Sequence, residues 1–94
     1  MAEKTRVLVV DDDISFAESL TDILMAKGYD AVAVNSGEEA LEKIKESSFD
    51  VALMDIKMPA MDGVRTFKEI KKLKSSITVI MMTAYSMDDL FTMP

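Results

Sequence analysis

The chain alternates short, wholly apolar runs with longer stretches in which apolar residues recur at helical spacing. Residues 7–10 (Val-Leu-Val-Val) lack the in-out alternation of a half-exposed strand and predict a strand buried on both faces. Residues 14–27 follow with Phe16, Leu20, Ile23 and Leu24 on one predicted helical stripe, and Gly28 stands where a C-terminal cap belongs. A second strand is predicted at 31–34. Ser36 and Glu39 form an S-x-x-E capping pattern that opens a helix running to about residue 47, with Leu41 and Ile44 inward. A third strand is expected at 51–54. Pro59 and Gly63 break the loop after it. A helix over about 64–74 would bury Val64, Phe67 and either Ile70 or Leu73, and 77–82 reads as a fourth strand.

The order βαβαβαβ, with strands apolar throughout, implies an α/β fold with a parallel sheet covered by helices on both faces. Right-handed crossovers leave few arrangements of such units. In an open sheet of this kind, ligands bind beyond the C-terminal strand ends, where the strand order reverses. No linker, internal repeat or low-complexity segment interrupts the pattern, so the 94 residues read as one domain.

Composition narrows the chemistry. At 49% hydrophobic and 30% charged, the chain reads as globular, and no apolar run approaches the roughly 18 residues of a membrane span. The N-terminus does not read as a signal peptide, and a cytoplasmic location is expected. With neither Cys nor His, disulfides, thiolate or His-ligated zinc, and Ser-His or Cys-His nucleophile pairs are excluded. The net charge of −6 argues against direct nucleic-acid binding; Lys68, Lys71, Lys72 and Lys74 read as a solvated helix face. The nine Met residues read as core filler.

The predicted strand ends carry the candidate chemistry. The first ends in Asp11-Asp12-Asp13, the third in Asp55 and the fourth in Thr83. If the first and third strands are neighbours, their carboxylates converge, and two carboxylates about 4 Å apart repel by roughly 4 kcal/mol at an effective dielectric near 20. A bound cation would remove that cost. An all-oxygen donor set selects magnesium or a similar hard ion, which suits phosphoryl chemistry with the Thr83 hydroxyl as a hydrogen-bond donor. An Asp after a strand also serves commonly as an N-cap or turn residue. Asp13 is assigned that role; for Asp11 and Asp12, spacing alone leaves the turn and metal readings both open.

Three segments together resemble the response-regulator receiver domain of bacterial two-component systems: residues 7–13 (Val-Leu-Val-Val-Asp-Asp-Asp), residues 53–63 with Asp55 followed by Met58-Pro59-Ala60-Met61-Asp62-Gly63, and Met82-Thr83-Ala84. The resemblance runs from Arg6 to about Leu90. It implies the flavodoxin-like three-layer αβα architecture with strand order 2-1-3-4. It implies that Asp55 accepts a phosphoryl group from a sensor histidine kinase or phosphotransfer protein, with Mg2+ or Mn2+ as cofactor. Asp12 and Asp55 match direct metal ligands, Asp11 a ligand acting largely through water, and the backbone carbonyl of Lys57 the remaining protein ligand. Thr83 matches the switch hydroxyl that contacts the phosphoryl group, and Ala84 the small residue that leaves it room. The Lys57 side chain would point toward the site entrance, either tuning hydrolysis or simply solvated. Ile14 and Ala17 fall where related domains meet their kinases, or else belong to the core stripe.

The resemblance also implies a fourth helix, a fifth strand carrying an active-site lysine, and a fifth helix. The chain offers one possible turn of helix after the fourth strand, the fifth strand and fifth helix are unmatched, and no lysine follows Lys74. The chain is therefore expected to be an incomplete receiver, lacking strand five and helix five. If about 400 Å² of apolar surface were thereby bared, about 10 kcal/mol of burial would be forgone at roughly 25 cal/mol per Å², against a typical total stability of about 5–15 kcal/mol. A homodimer or swapped oligomer through the 77–82 region is the expected response. The leading function is a self-catalysed phosphoacceptor module, not a turnover enzyme. The alternative is an interaction module impaired in phosphorylation by the missing lysine. An aspartate-nucleophile phosphohydrolase would want D-x-D on the first strand and a substrate cap. A flavodoxin-like cofactor binder would not greet a phosphate with three carboxylates.

Overall fold

The computed structural model describes residues 4–55 and 63–82. Its elements are β1 (Arg6–Val10), α1 (Ile14–Ala26), β2 (Asp30–Val34), α2 (Gly37–Glu46), β3 (Val51–Asp55), α3 (Gly63–Leu73) and β4 (Thr78–Met82). The four strands form one parallel sheet in the order β2-β1-β3-β4, as the family resemblance implied.

Pleat alternation divides the strand residues between two cores. Leu8, Val10, Val34, Ala52 and Met54 face α2 and α3, packing with Ala40, Ile44, Phe49, Ile70 and Ile77. Val7, Val9 and Ala31 face α1 through Ala17, flanked by Leu20 and Leu24. β1, at the centre, is sealed from both sides: Val7, Leu8, Val9 and Val10 are all buried. This is the αβα sandwich that continuous apolar strands demand.

The helix termini follow their local chemistry. The Asp13 carboxylate caps α1 by accepting from Phe16 N–H at 3.1 Å. α1 ends in a Schellman arrangement: Tyr29 N–H donates to the Leu24 carbonyl and Gly28 N–H to that of Met25. That turn sets Gly28 at φ 96, a backbone region only glycine enters without strain. Ser36 Oγ accepts from Glu39 N–H at 3.1 Å, opening α2. The Glu39 carboxylate reaches back to Asn35 N–H at 3.3 Å, one residue earlier than the usual reciprocal box.

The predicted α1 stripe is corrected by half. Leu20 and Leu24 pack inward, but Phe16 and Ile23 are 43% and 54% exposed. The buried positions are Ala17 and Thr21, so the inward face is Ala17-Leu20-Thr21-Leu24 at i, i+3, i+4 and i+7. Hydrophobicity counting passes over Thr21 because it carries a hydroxyl. Here that hydroxyl donates to the Ala17 carbonyl at 2.7 Å and is satisfied inside the helix. In α3, Ile70 is the buried choice and Leu73 is exposed. Thr66 is fully buried there too, its hydroxyl without a hydrogen-bond partner among the described residues. The Val64 side chain lies outside the described residues.

At the N-terminal edge of the sheet, Arg6 ties three segments together. Its guanidinium donates to Asp30 at 3.1 Å and to the Ser48 carbonyl at 2.8 Å, and lies 4.7 Å from the Phe49 ring centroid. Its backbone N–H donates to the Asp50 carboxylate. Among the described residues no helix is long and apolar enough to cross a membrane.

Candidate metal centre at the carboxyl ends of β1 and β3

β1 has β2 on one side and β3 on the other, so the strand order reverses at β1/β3. In such a sheet this is where a crevice opens beyond the carboxyl ends. The register pairs Val10 with Met54. The next residues along, Asp11 and Asp55, therefore emerge side by side. Asp55 is the last residue of β3, and Asp11 and Asp12 immediately follow β1.

Carboxylate oxygens of Asp11, Asp12 and Asp55 all lie within 4.8 Å of one another, the one such acidic group among the described residues. The three differ in environment: Asp11 is buried, Asp55 half-buried and Asp12 exposed. Asp11 is held at its backbone and its side chain. Its N–H donates to the Val34 carbonyl at 3.1 Å, extending the β1–β2 ladder by one bond. Its Oδ1 accepts from Asp13 N–H at 2.9 Å. Its carbonyl accepts from the Asn35 side-chain amide at 3.1 Å. Burial pushes the Asp11 carboxyl above the ordinary carboxylate range; the charges of Asp55, Asp12 and Asp13 add to that rise, and the Asp13 N–H bond opposes it.

The donor set fits a hard divalent cation. It is all carboxylate oxygen, and the chain has no Cys or His to favour a softer metal. One ligand is open to solvent, which suits an ion that keeps part of its water shell. Asp13 is spent on the α1 cap, as assigned from sequence. Lys57, Thr83 and Ala84 lie outside the described residues, so the fold places only Asp11, Asp12 and Asp55 of the predicted site. Asn35 was missed by the sequence reading; a polar residue closing the strand beside β1 was the available signal. Of the two α1 residues with a double reading, Ala17 is fully buried in the core and Ile14 is 57% exposed.

Residues 7–93 match the response regulator receiver domain family. The chain is 50% identical over 80 residues to the transcriptional regulatory protein ZraR of Escherichia coli K12, covering 85% of this chain and 18% of that protein. It is 42% identical over 80 residues to the chemotaxis protein CheY of Bacillus subtilis, covering 84% of this chain and 67% of that one. Among solved structures it resembles the response regulator TrrA of Thermotoga maritima in complex with Mg(2+)-BeF, with a TM-score of 0.81 and 39% identity over 92% of this chain and 76% of that one. TrrA has also been solved in complex with the histidine kinase ThkA. The chain spans about a fifth of the length of the ZraR proteins it matches. With its sheet order, its acidic crevice and a match over nearly its whole length, the chain belongs to the response regulator receiver domain family.

Proposed function

We propose that the chain is a phosphoacceptor module in which Asp55 takes a phosphoryl group, with Asp11, Asp12, Asp55 and the backbone carbonyl of Lys57 holding a Mg2+ or Mn2+ ion. The observation that carries the proposal is the meeting of Asp55 with Asp11 and Asp12 within 4.8 Å at the strand-order reversal. A cation bound there would neutralise the carboxylates and draw charge from the phosphoryl oxygens. One Asp55 carboxylate oxygen attacks phosphorus in line with the departing group, giving an acyl phosphate. Half-burial leaves Asp55 reachable by a donor while limiting its hydration. Asp11, fastened at its N–H, carbonyl and Oδ1, forms the fixed wall of the site, and exposed Asp12 lies at its mouth. Thr83 supplies a hydroxyl to a phosphoryl oxygen and Ala84 leaves it space, as the family resemblance implies.

The donor proposed is a sensor histidine kinase or phosphotransfer protein in the cytoplasm; the TrrA–ThkA complex supports a partner of this class. Self-association through residues 77–82 belongs to the same proposal. Among the described residues β4 is an edge of the sheet, and its Ile80 is 49% exposed. Light scattering on the eluting 94-residue chain should report more than a monomer's mass at micromolar concentration, and a monodisperse monomer would remove this part.

The decisive experiment is incubation with magnesium and acetyl phosphate, read by intact mass. A labile phosphate adduct is expected on the wild type and not on Asp55→Asn. An unmodified wild type would instead support an interaction module that does not accept phosphate.

A further inference from the structure

We infer that Asn35 is a positioning residue for the Asp11–Asp12–Asp55 cation site, holding the Asp11–Asp12 turn through its side-chain amide. The inference rests on the cation-binding reading above and goes beyond it by assigning a residue outside the ligand set. Three carboxylates within 4.8 Å repel one another, and the residue freest to move away is the exposed one, Asp12. The Asp11 carbonyl and the Asp12 N–H belong to one planar peptide unit. Fixing that carbonyl oxygen fixes the plane from which the Asp12 side chain departs. Among the described hydrogen bonds, the one that grips this oxygen comes from Asn35 Nδ2 at 3.1 Å. The other two bonds to Asp11 act elsewhere, on its own N–H and on its Oδ1.

The residue type matches the task. A neutral amide donates without adding positive charge that would compete with a cation, and without adding to the carboxylate repulsion. Asn35 is itself anchored. It follows β2 directly, its N–H donates to Glu39 at 3.3 Å, and the next residue, Ser36, caps α2. A continuous set of hydrogen bonds thus links the first turn of α2 to the peptide between two proposed ligands. Hydrogen-bond partners of ligands in metal sites act in this manner, orienting what they do not coordinate.

The test is a titration of the 94-residue chain with magnesium chloride, followed by amide shifts in 1H–15N NMR, for wild type, Asn35→Ala and Ser36→Ala. Asn35→Ala should weaken magnesium binding by about tenfold, the low end of what loss of an outer-shell partner costs. Ser36→Ala loses the α2 cap without touching Asp11, so it should melt earlier yet bind magnesium as the wild type does. Two results would overturn the inference: Asn35→Ala within about twofold of wild type, or Ser36→Ala weakened as much as Asn35→Ala, since the loss would then follow helix loosening. Both leave the cation site standing. Absence of magnesium binding by the wild type would remove that site and this inference together. Should Asn35→Ala fail to fold, Asn35→Leu, which keeps the side-chain volume but has no donor, takes its place under the same criteria.

Discussion

Replacing Asp12 by Asn separates the two roles that a carboxylate plays in this crevice, because it should stabilise the metal-free protein and reduce what magnesium adds. Asp12 faces two like charges, Asp11 and Asp55, with oxygens within 4.8 Å. At that separation each pair repels by roughly 3.5 kcal/mol at an effective dielectric near 20, and by about 0.9 kcal/mol in bulk water. Asp12 is exposed, so the aqueous figure governs, and removing its charge should return about 1–2 kcal/mol. For a domain this size each kcal/mol raises Tm by about 4–8 °C. In chelator at low salt, Asp12→Asn should therefore melt roughly 4–16 °C above wild type. Added salt should shrink the gap as screening weakens the repulsion. Magnesium narrows the gap: at ten times its Kd it should add about 1.4 kcal/mol to the wild type and clearly less to the variant. Far-UV circular dichroism melts of both proteins, with chelator and with excess magnesium chloride, supply the four values. A variant no more stable than wild type in chelator, with an equal gain in magnesium, would refute both the repulsion and the ligand role.

The other predictions concern Asp11 and the packing of α1. Asp11 has a folded-state carboxyl raised above its unfolded value, so the native state binds the extra proton and this group costs stability as pH rises through the carboxylate range. Without divalent cations, the stability advantage of Asp11→Asn over wild type should be largest near neutral pH and fade as pH falls below that range; a pH-independent difference in urea midpoints would show that Asp11 does not titrate as described. On α1, Ala17→Leu should cost about 1–3 kcal/mol by forcing the helix off the sheet, whereas Ile23→Ala should change stability by less than about 0.5 kcal/mol. Urea denaturation distinguishes the two, and the opposite ranking would mean that the predicted Phe16–Ile23 stripe faces inward after all.

Sequence and tertiary structure contributed different things. Strand identity was legible because a parallel sheet covered on both faces leaves its strands no polar alternation. Residues 7–10 show this in four consecutive apolar side chains, all buried. Helix starts were legible because caps are local: Asp13 and Ser36 act within three residues of themselves. The convergence of Asp11, Asp12 and Asp55 could be anticipated only on the condition that β1 and β3 are neighbours, and it was the sheet order that met the condition. The face of α1 was beyond the sequence for a related reason. Leu20 and Leu24 fit stripes centred on either flank. The choice fell to small Ala17 and self-satisfied Thr21, which let the helix approach the sheet more closely than Phe16 or Ile23 would. Asn35 shows the same limit. Its amide meets a carbonyl 24 residues away, and no periodicity or cap rule specifies a contact that exists only once β2 lies against β1. Local chemistry is written in neighbouring residues, whereas side-chain contacts across elements depend on where the packed backbone brings them.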